Sequence, residues 1–371
     1  MSKALFDRLA EHAASDGAPT SRPEAGRYIK RLNFEDAKLL AEASATAVVV
    51  TRQVRFVRIE QADMLYFCTF GLPEPEESLA GLEIVPLTPG ILTLAVLEAG
   101  VRPSRTVTAA MIKDAVDDYY VGNDLGYDGH ELDDVSSFFP SIVVYRAIDT
   151  LEFHRITERV LGSILVRTYL DGPIPLEPDT VSNLARVFEA ESPLIPFRNL
   201  IQGILSISWE NLFVEIYRCV EQLYALPRVG RLKAAITYAA SARELATILE
   251  DHLSWYPKEE EAFRALVRGC DEALVSVICA GLTGGQSDTH DGRCDAAVRE
   301  LYSLRNRIVH YRPAHELIVK SDADWNIIVR GMLDVVSHLY SAHGETFFGP
   351  PQAPTEMSRP LTHAPPSAPP P

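Results

Sequence analysis

Three side chains able to do chemistry together stand in the stretch LYSLRNRIVHYRP, residues 301–313: Arg305, Asn306 and His310. Histidine moves protons near neutral pH. Arginine presents a permanent charge in a planar donor fork that suits phosphate oxygens. An RNA strand cut by attack of its own 2′-hydroxyl needs those two services, a proton carrier and a fixed charge for the phosphorane, and needs no metal. Arg307 and Arg312 beside the trio offer further phosphate contacts, and Tyr311 a flanking aromatic group. The spacing is awkward for one helix, because five residues mean about 7.5 Å of rise and about 140° of rotation. The arginine and histidine converge only if the helix end distorts or a second chain completes the site.

The trio has to be carried by a helix. Val298, Leu301, Leu304 and Ile308 recur at three- and four-residue intervals and form its core stripe, leaving Arg305 and His310 off it. Pro313 disfavours helical geometry before it, so the helix is expected to stop close to Tyr311. Four more helices are predicted around it. One carries the stripe Trp209, Leu212, Phe213, Ile216, Val220 and Leu223, and the last carries Trp325, Ile328, Val329, Met332, Val336 and Leu339. The others are read as single helices over 230–253 and 257–282. Five helices with short loops imply a bundle over residues 201–345.

The preceding chain has another character. Residues 45–61 and 64–71 are rich in β-branched and aromatic residues, and 81–100 is a third apolar run broken by Pro86 and Pro89. An α+β domain over 31–200 follows, with residues 1–30 as a flexible N-terminus. Pro173, Pro175, Pro178, Pro193 and Pro196 mark the end of that domain as a connection. Residues 346–371 are too proline-rich to fold and read as a disordered tail. The expected fold class is an α+β N-terminal domain followed by an all-α bundle, mainly helical overall.

Composition bounds the partners. The chain of 371 residues has a net charge of −16, which argues against a protein that coats nucleic acid through a basic face. Residues 201–345 hold 15 basic against 20 acidic side chains, so any RNA contact there must be local. No apolar run suits a membrane span and the start lacks a secretory core, so the expectation is a cytoplasmic protein. Five widely spaced cysteines without a CxxC pair read as buried thiols rather than disulfides or a zinc site. The acidic loop with Asp124, Asp128, His130, Glu131, Asp133 and Asp134 matches neither a zinc nor a calcium spacing and reads as solvated. No metal or cofactor is expected.

Arg305, Asn306 and His310 on the penultimate helix of an all-α unit resemble the Arg-x4–6-His motif of the HEPN superfamily. Tyr217, Glu221 and Tyr224 in IYRCVEQLY resemble the aromatic and glutamate pattern that opens such bundles. The resemblance covers about residues 201–345. It implies a metal-independent endoribonuclease of the antiviral, abortive-infection or toxin type, with Arg305 and His310 catalytic and Asn306 the accompanying polar residue. It also implies a homodimer or higher homo-oligomer that pairs two motifs in one cleft, and a possible regulatory protein or antitoxin. Members modified by a partner nucleotidyltransferase carry a tyrosine two residues after the histidine. Here Arg312 holds that place and Tyr311 directly follows the histidine, which speaks against regulation by tyrosine adenylylation. The implied alternative is a non-catalytic HEPN-like module that binds RNA, a nucleotide or a protein partner.

Overall fold

A computed structural model of the chain describes residues 2–20, 27–30, 35–51, 54–117, 129–148, 154, 156–169, 172–282, 287–310 and 318–350. The protein is mainly helical, with one five-stranded antiparallel sheet in its N-terminal part. It divides into two compact units. The first comprises Met1–Glu191, Phe197–Ile216 and Leu317–Leu333, the second Ser192–Pro196, Tyr217–Glu316 and Asp334–Pro371.

The sheet of the first unit runs β1 (Ser44–Val49), β2 (Arg55–Gln61), β3 (Met64–Phe70), β4 (Leu82–Val85) and β5 (Ile142–Ala147), in the spatial order β1-β2-β3-β5-β4. Register follows burial. Val57 opposite Cys68, and Cys68 opposite Val144, put three buried side chains in one row. That row packs with helices α1 (Ser2–Ser15), α2 (Glu35–Glu42), α3 (Pro89–Ala99) and α4 (Ala109–Asp117) in one core. Phe56, Phe67 and Tyr145 alternate with it and are equally buried, so both faces of the central strands are covered. The short helix α5 (Leu132–Ser136) adds Val135 to the core.

Two expectations change here. Residues 1–30 were expected to stay loose, yet Leu5, Phe6, Leu9 and Ala13 recur at helical spacing and are buried against the sheet. The apolar run 81–100 becomes a strand and then a helix, because Pro89 sits in the first turn of α3, where no backbone donor is needed. Thr88 caps that helix by accepting from the Ile91 amide at 3.3 Å, and the buried Asp36 carboxylate accepts from the Gly90 amide at 3.1 Å.

The proline-rich stretch is likewise more ordered than a connection. It contains α7 (Pro178–Ala190), entered through Pro178, and α8 (Phe197–Ile204), following α6 (Thr157–Arg167). Arg159 of α6 is buried and donates to the Phe188, Glu189 and Glu191 carbonyls at 2.6, 3.1 and 3.0 Å, which closes the C-terminal end of α7. The part of α9 (Trp209–Glu221) in this unit stacks Trp209 on Trp325 of α15 (Asp322–Phe348), with ring planes 3° apart.

In the second unit, two stretches read as single helices are each divided. Residues 230–253 split between α10 (Leu226–Ala235) and α11 (Ala242–Leu253), and 257–282 between α12 (Glu259–Val267) and α13 (Glu272–Ala280). The reason is capping chemistry. Ser241 accepts from the Glu244 amide at 3.1 Å and Asp271 from the Leu274 amide at 2.8 Å, each opening a new helix. The helix carrying the motif, α14 (His290–Val309), starts at Thr289, whose hydroxyl accepts from the Gly292 amide at 3.1 Å. Cys68, Cys219, Cys270 and Cys294 are buried free thiols and Cys279 is half-buried. Among the described residues no helix is long and apolar enough to cross a membrane.

The packing yields two measurable consequences. A methyl group added at Gly162 of α6 would meet the buried Phe188 ring at 2.0 Å. Alanine gains about 1 kcal/mol of helix propensity but overpacking costs about 1–3 kcal/mol, so Gly162→Ala should lower the urea midpoint of the first unit. His130 is buried and stacked on Phe6, with ring centroids 4.7 Å apart, rather than standing in a solvated loop. Burial first, then the nearby Arg27 charge, lower its pKa to about 4 against some help from Asp134. The unfolded chain takes this proton near pH 6.5 and the folded chain does not. Stability is therefore full above that pH and falls as pH drops toward 4, by up to about 3 kcal/mol. His130→Phe should flatten this acid slope in urea titrations between pH 7 and 4.

Candidate functional site

Helix α14 is oriented by its buried stripe. Cys294, Ala297, Val298, Leu301 and Leu304 face the core, while Ile308 is only half-buried near the helix end. Charged contacts hold α12 alongside it. Asp295 accepts from Arg264 at 3.2 Å and from Arg268 at 3.0 Å, and the Tyr302 hydroxyl donates to Glu259 at 3.3 Å. Helix α12 starts with Glu259, Glu260 and Glu261, three acids where the helix dipole favours negative charge.

Arg305 leaves α14 between two carboxylates. Its guanidinium lies 2.7 Å from Glu221 of α9 and 3.6 Å from Glu259 of α12, with a side chain 14% exposed. It also donates to the Asn306 amide oxygen at 3.0 Å. Burial opposes its charge, but Glu221 and Glu259 outweigh that cost and raise its pKa further. Beneath it, the Tyr224 hydroxyl donates to that of Tyr217 at 2.7 Å. Burial pushes both phenols well above the ordinary tyrosine range. Tyr217, Glu221, Tyr224 and Arg305 thus form one polar group inside the second unit.

His310 ends α14. Its backbone has left helical geometry (φ −107°, ψ 80°), its amide still donates to the Asn306 carbonyl at 2.9 Å, and its side chain is exposed. The helix stops at Val309, two residues short of the expected end at Tyr311. His310 and Asn306 line an open cleft of about 420 Å³ with Arg299, Tyr302, Ser303, Arg307, Glu259 and Glu260. Asn306, Arg307 and His310 therefore share one surface. Arg305 is adjacent to it through Asn306 and Glu259 but is not part of its lining. Tyr311 and Arg312 lie outside the described residues, as do His315, Asp124 and Asp128.

Arg299, Tyr302, Ser303 and the two glutamates were not singled out from the sequence. Arg299, Ser303, Asn306 and His310 stand at intervals of four, three and four, a helical row beside the apolar stripe, and that period is a signal that could have found Arg299. The two arginines of the lining are balanced by Glu259 and Glu260, so the cleft of one chain has no surplus charge from these groups. Among the described residues no cluster of three or more His, Cys, Asp or Glu could hold a metal ion. No protein-family model, curated protein or solved structure matches the chain.

The two kinds of arginine should separate in stability measurements. Arg305→Ala leaves Glu221 and Glu259 facing an emptied, half-buried space and should cost about 1–3 kcal/mol in urea unfolding. Arg299→Ala, at an exposed position, should stay within about 0.5 kcal/mol of the parent.

Proposed function

We propose that the helical region over residues 201–345 is a metal-independent endoribonuclease of the HEPN type, serving as a defence or toxin-like effector, and that two copies of α14 complete its site. The observation that carries the reading is the cleft shared by Asn306 and His310 at the exposed end of α14, with Arg305 held at its edge by Glu221. His310 would carry the proton between the 2′-hydroxyl and the departing 5′-oxygen. Arg305 would supply fixed positive charge to the phosphorane, oriented by Glu221 and Asn306, and Arg307 would hold a neighbouring phosphate. Arg305 lies outside the lining that His310 shares, which supports a composite site, because a second α14 would bring another arginine and a second histidine to the same strand. RNA and another copy of the chain are the implied partners.

A second reading has its own support. Arg305 is already paired with two carboxylates, so its charge is committed within the chain. That favours a non-catalytic HEPN-like module in which Arg305 is structural and the cleft binds RNA, a nucleotide or a protein partner. His310 separates the two readings, since its exposed side chain can be replaced with little effect on folding. His310→Ala should reduce cleavage of fluorescent single-stranded RNA by about 10²–10⁴-fold, unchanged by chelators, while sedimentation shows the same oligomer. Equal cleavage by parent and variant would remove His310 from the mechanism. Inert parent protein that still binds RNA would select the second reading.

A further inference from the structure

The first unit holds a cleft of a different kind, at the end of the sheet where β2 begins, β3 ends and β5 is about to begin. It has a volume of about 630 Å³ and is lined by Arg55, Arg102 and Arg105, with Ser104 and Thr106 adding hydroxyls. Among the described residues no acidic side chain lines it. In a chain with a net charge of −16, three guanidinium groups lining one cleft form a local positive surface suited to an anion.

The backbone builds the cleft. Gly100 ends α3 in the left-handed region (φ 61°), which turns the chain sharply into the loop that carries Arg102, Ser104, Arg105 and Thr106. The Ser104 amide donates to the Phe138 carbonyl at 2.7 Å, and the Val107 amide to the Ser104 carbonyl at 3.0 Å, tying the loop to the unit. Val101 is buried and anchors it, whereas Arg102 and Arg105 are exposed and form no ion pair among the described residues. Arg55 opens β2 opposite Phe70, the last residue of β3. Its Nη1 donates to the Thr51 and Val54 carbonyls, but its Nε is buried with no hydrogen-bond partner among the described residues. Three guanidinium groups lining one concave surface, two of them exposed and without an ion pair among the described residues, are what a bound anion would satisfy.

We propose that this cleft is a binding site for a small phosphorylated molecule of nucleotide size, held through its di- or triphosphate by Arg55, Arg102 and Arg105. Planar guanidinium groups pair two donors with phosphate oxygens, and three of them match a polyphosphate better than a single carboxylate. The volume falls in the range of small-ligand sites. A long nucleic acid would instead need an extended basic track, and this cleft gathers its three arginines at one place. This site stands independently of the ribonuclease reading, since it lies wholly in the first unit.

The test is calorimetric titration of the full chain with ATP, pyrophosphate, inorganic phosphate and a single-stranded RNA oligonucleotide, at low and physiological salt. ATP and pyrophosphate should bind saturably and compete with one another, with inorganic phosphate weaker. The double variant Arg102→Glu, Arg105→Glu should weaken both by at least about tenfold, whereas Arg231→Glu, at an exposed position on α10 outside both clefts, should leave them unchanged. Because Arg102 and Arg105 are exposed, circular dichroism should show both variants folded. Arg55→Gln should weaken binding as well. Absence of saturable binding by both ATP and pyrophosphate up to about 1 mM would overturn the proposal. So would binding that the double variant does not change, or RNA binding lost in that variant when neither small ligand binds.

Discussion

The guanidinium of Arg305 is the interaction around which the second unit is organised. Three helices meet at it, since Glu221 comes from α9, Glu259 from α12 and the arginine itself from α14. A cation with 14% of its side chain exposed would be costly if it stood alone, and so would the Glu221 carboxylate, which is 25% exposed. The 2.7 Å ion pair adds a directional contact to the apolar packing of Leu301 and Leu304. The Tyr217–Tyr224 hydrogen bond beneath it satisfies two buried hydroxyls in the same place.

That arrangement bears directly on chemistry. Arg305 is hydrogen-bonded to Asn306, which stands with Arg299, Ser303 and His310 in one helical row along the cleft side of α14. Preorganisation of this sort is what general acid–base work on a phosphodiester needs, since groups already in place lose little freedom in the transition state. The same ion pair is also what a purely structural module would contain. The two uses differ in whether the His310 end of the helix meets substrate, not in how the helix is built.

Electrostatics divides the molecule in a second way. The cleft at the end of α14 balances Arg299 and Arg307 with Glu259 and Glu260, while the cleft at the end of the sheet gathers three arginines and no acid. An unbalanced cleft favours a compact polyanion. Each unit thus has a concave surface whose charge content suits a different occupant.

Helical periodicity made much of this legible from residues alone: the stripes of α9, α14 and α15, the β-branched strands and the exposed position of His310 follow from the order of apolar and polar side chains, whereas Arg305, off that stripe, is held inside the second unit by two carboxylates. What composition misjudged were places where one residue acts through geometry. Pro89 and Pro178 begin helices rather than break them, Ser241 and Asp271 divide apparent single helices, and His130 is buried on Phe6 although its neighbours in sequence are acidic. Two matters were decided only in three dimensions. Residues 84 positions apart supply the carboxylate and the guanidinium of the Glu221–Arg305 pair, and Arg55 joins Arg102 and Arg105 across the end of a sheet. Period along the chain reports which face of an element is buried, but the partner of a charge is chosen by the packing of other elements, and no local pattern encodes that choice.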